Sequence, residues 1–255
     1  QNGWSLGILE SVTAREFAEI DDNGAKREEI VEPLTNYLVL RAQKDFNENN
    51  SYIGGIFTAT NRDLDGKFKY LHKSAYTAGI DFKHQWENRN YFFEGNVVMS
   101  TVSGSAEAIE KTQRSLTHLF QRVDATHVEL DATRTSLTGT GGRLEVGKQG
   151  GGNWRYNGGF VWRSPELELN DIGFLRQTDE IIQFSNVSYL WQVPTKTYRG
   201  IQMSFEQFST FDFQGNHNNM QYKAEVNVNW INNWSTELGF GHKPLSYENA
   251  YLRGG

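Results

Sequence analysis

The chain has 255 residues, with 25 Lys and Arg against 31 Asp and Glu, a net charge of -6 and no Cys. Disulfides and thiolate metal sites are thereby excluded, and an acidic chain with a pI of about 5.6 offers nucleic acid no general attraction. The mean hydropathy of -0.63 and the lack of any long apolar run exclude a membrane helix, but not a membrane-spanning sheet, in which apolar residues are diluted by half along every strand.

The first strand is predicted from Gly3 to about Phe17, with Trp4, Leu6 and Ile8 in one row and Ser5, Gly7 and Leu9 in the other. Gln1-Asn2-Gly3-Trp4 already reads as the start of that strand, so no secretory signal is visible. A charged connection is expected from Glu19 through Asp21-Asp22-Asn23-Gly24 to Glu32. The second strand, Pro33 to Phe46, alternates Leu38, Leu40 and Ala42 with Val39, Arg41 and Gln43, and ends at Asn47-Glu48-Asn49-Asn50. The third runs from Ser51 to Thr60 and leaves by the loop Asn61 to Lys73.

Ser74 to Gly104 is the clearest stretch. Tyr76, Ala78, Ile80, Phe82, His84 and Trp86 oppose a polar row ending in Asp81, Lys83 and Gln85. After Glu87-Asn88-Arg89-Asn90 the alternation restarts at Tyr91, giving a long antiparallel hairpin. Each arm has about the ten residues that a tilted strand needs to cross a bilayer, and charges such as Asp81, Lys83 and Glu94 suit a row facing water better than a dry core.

The connection Thr101 to Ala132 is predicted to be an ordered loop whose first part is a short helix, with Ala106, Ile109, Leu116 and Phe120 at helical spacing and Ser105 as its cap. Strands at Thr133 to Gly147 and Asn153 to Arg163 flank Lys148-Gln149-Gly150-Gly151-Gly152, and Trp154, Tyr156, Gly158, Phe160 and Trp162 form another apolar row. After the loop Ser164 to Thr178, an eighth strand from Ile181 to Gln192 changes parity between Phe184 and Val187, which predicts a bulge. A ninth strand follows Val193-Pro194-Thr195-Lys196. The tenth, Met220 to Trp230, alternates most cleanly, and Asn232-Asn233 turns it into an eleventh with Trp234, Leu238 and Phe240.

Short connections thus alternate with mostly longer ones, the turn near Gln214 to His217 being the exception. That is the pattern of an outer-membrane barrel, so the expected fold is an all-β, antiparallel up-and-down transmembrane β-barrel with about eleven strands in this chain and one partly helical long loop.

Several phrases carry a resemblance: Gly3-Trp4-Ser5-Leu6-Gly7, Glu32-Pro33-Leu34-Thr35-Asn36-Tyr37, Asn61-Arg62-Asp63-Leu64-Asp65, Phe120-Gln121-Arg122 and Thr133-Arg134-Thr135-Ser136-Leu137. Gly147-Lys148-Gln149-Gly150-Gly151-Gly152, Asn170-Asp171-Ile172-Gly173-Phe174-Leu175-Arg176 and Leu252-Arg253-Gly254-Gly255 extend it over essentially the whole chain. The chain resembles an outer-membrane β-barrel domain of unknown function, found in Bacteroidota-type and related bacteria behind a domain similar to carbohydrate-binding module family nine. The resemblance implies an interior portion of one barrel domain, lacking the carbohydrate-binding-like domain in front and the final strands behind. It implies no activity and no catalytic residues. The expected location is the bacterial outer membrane, with the lipid bilayer as partner, glycan reached through the absent N-terminal domain, and other cell-envelope proteins as further partners. No cofactor and no nucleic acid are expected.

Candidate chemistry is sparse. Asn61 to Gly66 places Asp63 and Asp65 as the first half of a calcium loop does, but the twelfth place is His72 instead of Glu, and an Asx turn is the better reading. His127, Glu129 and Asp131 alternate near Asp124 as metal or acid/base groups do, against a plain polar rim. His118 reads as a solvated or hydrogen-bonded residue of the short helix. Asp171 sits in a long loop, where it serves function or pairs with Arg163 or Arg176. Lys83, Glu94, Arg143, Glu145, Arg155, Arg163, Lys223 and Glu225 belong to the rows expected to face the lumen, where mixed signs point to cross-strand pairing more than to a selective pore. The function expected from this reading is an anchor or conduit for a glycan-handling module. The alternatives are an outer-membrane hydrolase, if Asp124, His127, Asp131 and Asp171 converge on one cleft, and a soluble glycan-binding β-sandwich, if Trp154, Trp162 and Trp234 form one platform.

Overall fold

A computed structural model of the chain describes residues 3–247. The expectations placed on Gln1, Asn2 and Leu252 to Gly255 lie outside them. Among the described residues the fold is all-β and antiparallel, with a single helix. β1 (Trp4–Thr13), β4 (Thr35–Phe46), β5 (Ser51–Arg62), β6 (His72–Trp86), β7 (Tyr91–Gly104), β8 (Ser136–Lys148), β9 (Trp154–Arg163), β10 (Glu180–Trp191), β11 (Tyr198–Phe211), β12 (His217–Trp230) and β13 (Ser235–Ser246) form one eleven-stranded sheet in that order. Every neighbour in the sheet is the next strand along the chain except where β2 (Glu16–Asp22) and β3 (Ala25–Glu32) intervene as a separate two-stranded sheet.

That hairpin corrects the reading of residues 19–32 as a charged connection, and the first strand ends at Thr13 instead of running to about Phe17, which belongs to β2. Charges at nine of the hairpin's fifteen strand positions hid its period of two. It turns at Asn23 and Gly24, both with positive φ, as a tight two-residue hairpin loop requires. Glu19 lies directly opposite Glu28 and Glu16 opposite Glu32, and the hairpin holds five of the six net negative charges of the chain. The expected bulge in β10 is also absent: its pairing with β9 and β11 runs without a register shift. Phe184 simply belongs to the other row, where the Arg143 guanidinium covers its ring at 4.6 Å. Register shifts occur instead in β11, in β6 against β7, and in β12 against β13.

In the middle of the sheet the apolar row is the exposed one, whereas the edge strands β1 and β13 are exposed along nearly all of both rows. Along β6 and β7, Ile80 is 60% and Met99 53% accessible, while Ser100 and Val102 of the other row are at 1%. The covered row is mostly polar, with Phe92 under the Lys83 ammonium near the short turn, and turns apolar where chain packs on it. There Ala75, Val102 and Leu137 join Ile109 of α1 (Ala106–Arg114) and Phe120 in a small core, with Val128 and Leu130 against it. Ser105 caps α1 by accepting from the Ala108 N–H at 3.1 Å, as its sequence position predicts. The helix stops at Arg114, so Leu116, His118 and Phe120 lie beyond it, contrary to their helical spacing.

The 164–179 connection lies on the same face. The Glu168 N–H donates to Ser100 Oγ at 3.0 Å, and Leu167 rests directly on Gly139, where any Cβ would collide with its backbone. The connections after β4, β6, β8, β10 and β12 are short and share one rim; those after β5, β7, β9 and β11, with the β2–β3 hairpin, share the other. At the short-turn rim Asn47, Glu48 and Asn49, and again Glu87, Asn88 and Arg89, form three consecutive left-handed residues. Arg89 Nε donates to Asn50 Oδ1 at 2.7 Å, tying the two turns together.

Candidate functional site at the long-loop rim

The polar groups of the long-loop rim gather where connections meet the covered face. His72 opens β6, Arg62 closes β5, Thr112 sits on the inner side of α1, and Asp171 comes from the 164–179 connection. Arg62 Nη1 donates to Asp171 Oδ1 at 2.5 Å, and His72 Nδ1 lies 2.9 Å from Asp171 Oδ2. The other ring nitrogen, His72 Nε2, is 2.7 Å from Thr112 Oγ1, which is itself 3.1 Å from the Ala108 carbonyl. Burial pushes the Asp171 carboxyl upward, but the hydrogen bonds and charge of His72, then of Arg62, outweigh it and hold the group below its usual range. These residues line a cleft of about 330 Å³ together with Tyr70, Lys111, Ser115 and Glu168.

Behind it lies a second buried pair. His118 has a fully buried side chain, with Nδ1 2.8 Å from the Pro165 carbonyl and Nε2 3.0 Å from Glu168 Oε2. Thr178 Oγ1 also approaches Nδ1, at 3.4 Å, so both ring nitrogens have polar partners. Burial raises the Glu168 carboxyl, while the His118 hydrogen bond and the Asn170 N–H lower it further, for a net depression. His118 is therefore hydrogen-bonded as expected, but it is neither helical nor solvated.

A third cluster closes the rim. Asp179, 3% exposed, accepts from Arg122 Nη2 at 2.6 Å and from the Phe213 N–H at 3.0 Å, and lies 2.7 Å from His127 Nε2. His127, Glu129 and Asp131 do line one cleft, of about 590 Å³, with Arg134 and Glu166. Asp131 spends one oxygen on Thr133, whose hydroxyl and N–H hold its carboxyl below the usual range. Asp124 sits 3.7 Å from Arg122 Nε and accepts from the Tyr247 hydroxyl at 3.3 Å. Asp171 is in the other cleft, so the four residues do not converge.

The remaining candidates are placed as follows. Asp63 pairs with Arg15 at 2.6 Å, and Asp65 accepts from the Lys67 N–H at 2.9 Å in an Asx turn; His72 is turned away toward Asp171. Lys83 and Glu94 are directly opposed across β6 and β7 and pair at 2.8 Å. Arg143 pairs with Glu145, and Lys223 with Glu225, each along its own strand. Arg163 pairs with Glu180, not Asp171, and Arg155 donates to the Gly152 and Trp154 carbonyls at the short-turn rim. Trp154 and Trp234 stand at that rim whereas Trp162 lies near the far end of β9, so the three form no common platform. Arg62, Thr112, Glu168, Arg122 and Asp179 were missed by sequence reasoning. No local signal marks them, because their partners lie tens of residues away.

No curated protein matches the chain. The family model described as Domain of unknown function (DUF5916) matches residues 1–253, and the chain belongs to that family.

Proposed function

We propose that this sheet is the wall of a bacterial outer-membrane β-barrel that anchors, or serves as a conduit for, a surface or periplasmic glycan-handling module. The observation that carries the reading is the inverted burial: large apolar side chains form a continuous exposed face, and the charged and amide side chains take the covered one. Lipid accepts such a face and water does not, and strand pairing satisfies the backbone groups that lipid cannot. Two further features support it. Six of the seven tryptophans, Trp4, Trp86, Trp154, Trp191, Trp230 and Trp234, stand at the short-turn rim, as an interfacial aromatic belt does. The loops that pack on the covered face are those of the opposite rim, which in such barrels is the extracellular one.

The chain has no native Cys, so single cysteines along Met220 to Trp230 test the assignment in membranes. Water-soluble maleimide is expected to label positions 221, 223, 225 and 227, and to reach 222, 224, 226 and 228 only after detergent is added. Uniform labelling of a protein released by washing would sink the membrane reading.

A further inference from the structure

Three elements far apart in sequence place a carboxylate, an imidazole and a hydroxyl in one hydrogen-bonded line. Asp171 to His72 Nδ1 is 2.9 Å and His72 Nε2 to Thr112 Oγ1 is 2.7 Å. Local turn chemistry does not explain this, since the separations along the chain are 99 and 40 residues. Arg62 fixes the line from behind, donating both to Asp171 and to the His72 carbonyl, at 3.0 Å in the second case. The Thr112 hydroxyl has one proton and two acceptors within reach: the Ala108 carbonyl at 3.1 Å and, when Nδ1–H donates to an ionised Asp171, the bare Nε2 at 2.7 Å, to which the hydroxyl turns when it acts as nucleophile. The cleft in front has room for a small acyl group. On its wall Ser115 carries a buried Oγ with no hydrogen-bond partner, and the Lys111 ammonium lies over the Tyr70 ring.

We propose that this cleft is an ester-hydrolysing site, with Thr112 as nucleophile, His72 as general base and acid, Asp171 as the residue that orients His72, and Ser115 as donor to the ester carbonyl oxygen. Thr112 Oγ1 adds to the carbonyl carbon while its proton passes to His72 Nε2. The carbonyl π bond opens to an oxyanion, which Ser115 Oγ–H meets, and Asp171 stabilises the imidazolium without taking its proton. Collapse breaks the carbon–oxygen bond to the alcohol, which leaves with the proton from Nε2, and the acyl group remains on Thr112. Water then adds with His72 as base, the bond to Thr112 breaks, and the carboxylic acid departs as the hydroxyl regains its proton. This activity is independent of the membrane reading, because the cleft lies on the covered face in either case.

The test uses the whole protein, p-nitrophenyl acetate as substrate and a fluorophosphonate as covalent probe. Wild type is expected to release nitrophenol and to gain the phosphonate mass on the peptide holding Thr112. Thr112→Val, which keeps shape but loses the hydroxyl, is expected to abolish both, Thr112→Ser to retain both, and His72→Gln to lower kcat by about 100-fold with little change in KM. An unchanged β-sheet circular dichroism spectrum in each variant reports that the sheet is intact. Absence of both signals in wild type, or their persistence in Thr112→Val, would overturn the proposal.

Discussion

The two rims of this sheet are built on opposite principles. At the short-turn rim each connection is specified within a few residues: Asn-rich and Gly-rich turns accept left-handed backbone, and the aromatics stand on strand ends beside them. At the long-loop rim almost every polar group finds its partner at a distance, Arg62 and His72 with Asp171, His118 with Glu168, Arg122 and His127 with Asp179. The contrast teaches that the wall is held by pairing between chain neighbours, while the packed rim is held by a few buried charges that the wall must first bring together.

The largest effect should follow from breaking the packed rim at its most connected residue. Asp179→Ala leaves the Arg122 guanidinium, with 4% of its side chain exposed, facing no full partner, and is expected to cost about 3–5 kcal/mol. Protease cutting between residues 105 and 135 checks it; cysteine labelling along β12 should stay unchanged. Equal loss at both rims would show that they are one cooperative unit.

Acid sharpens the comparison next. Glu168 and Asp171 have folded pKa values below their ordinary ones, so the stability they contribute is present above the unfolded values, 4.5 and 3.8, and is lost as pH falls through the lower folded ones. Protease sensitivity of the long-loop rim is expected to rise only below about pH 4, and Glu168→Gln with Asp171→Asn should flatten that response. The short-turn rim has no such buried carboxylate pair among the described residues and should not respond.

How much of this was legible follows from the same division. The rows of β6, β7 and β12, the turns at 47–50 and 87–90, and Ser105 as helix cap were legible because each signal lies in adjacent residues. Asp171 was placed in a functional loop with Arg163 or Arg176 as partner, and its real partners lie 109 and 99 residues away. Only sheet order decides that choice. The β2–β3 hairpin was lost for another reason: like charges across the strands oppose pairing, so its composition resembles a loop.

The smallest expected effect strengthens the local rim. Glu48 and Glu87 hold φ of 54° and 48°, a conformation that costs a non-glycine residue about 1 kcal/mol. Glu48→Gly is expected to raise the thermal midpoint of the protein slightly. A fall would mean that the Glu48 side chain, not its backbone, holds the turn.

β1 and β13 are the edges of the sheet and, among the described residues, do not pair with each other. Both run from the short-turn rim toward the long-loop rim, because β4 enters the turn at 47–50 and β13 leaves the turn after β12. Their directions therefore match, and direction imposes arithmetic. Strands that join these edges through antiparallel pairs alone must be odd in number, one or three but never two. Added to the eleven here they give an even total, the parity of single-chain outer-membrane barrels in bacteria. Joined directly, the edges would form a parallel seam, the one place in the sheet where the hydrogen bonds would slant.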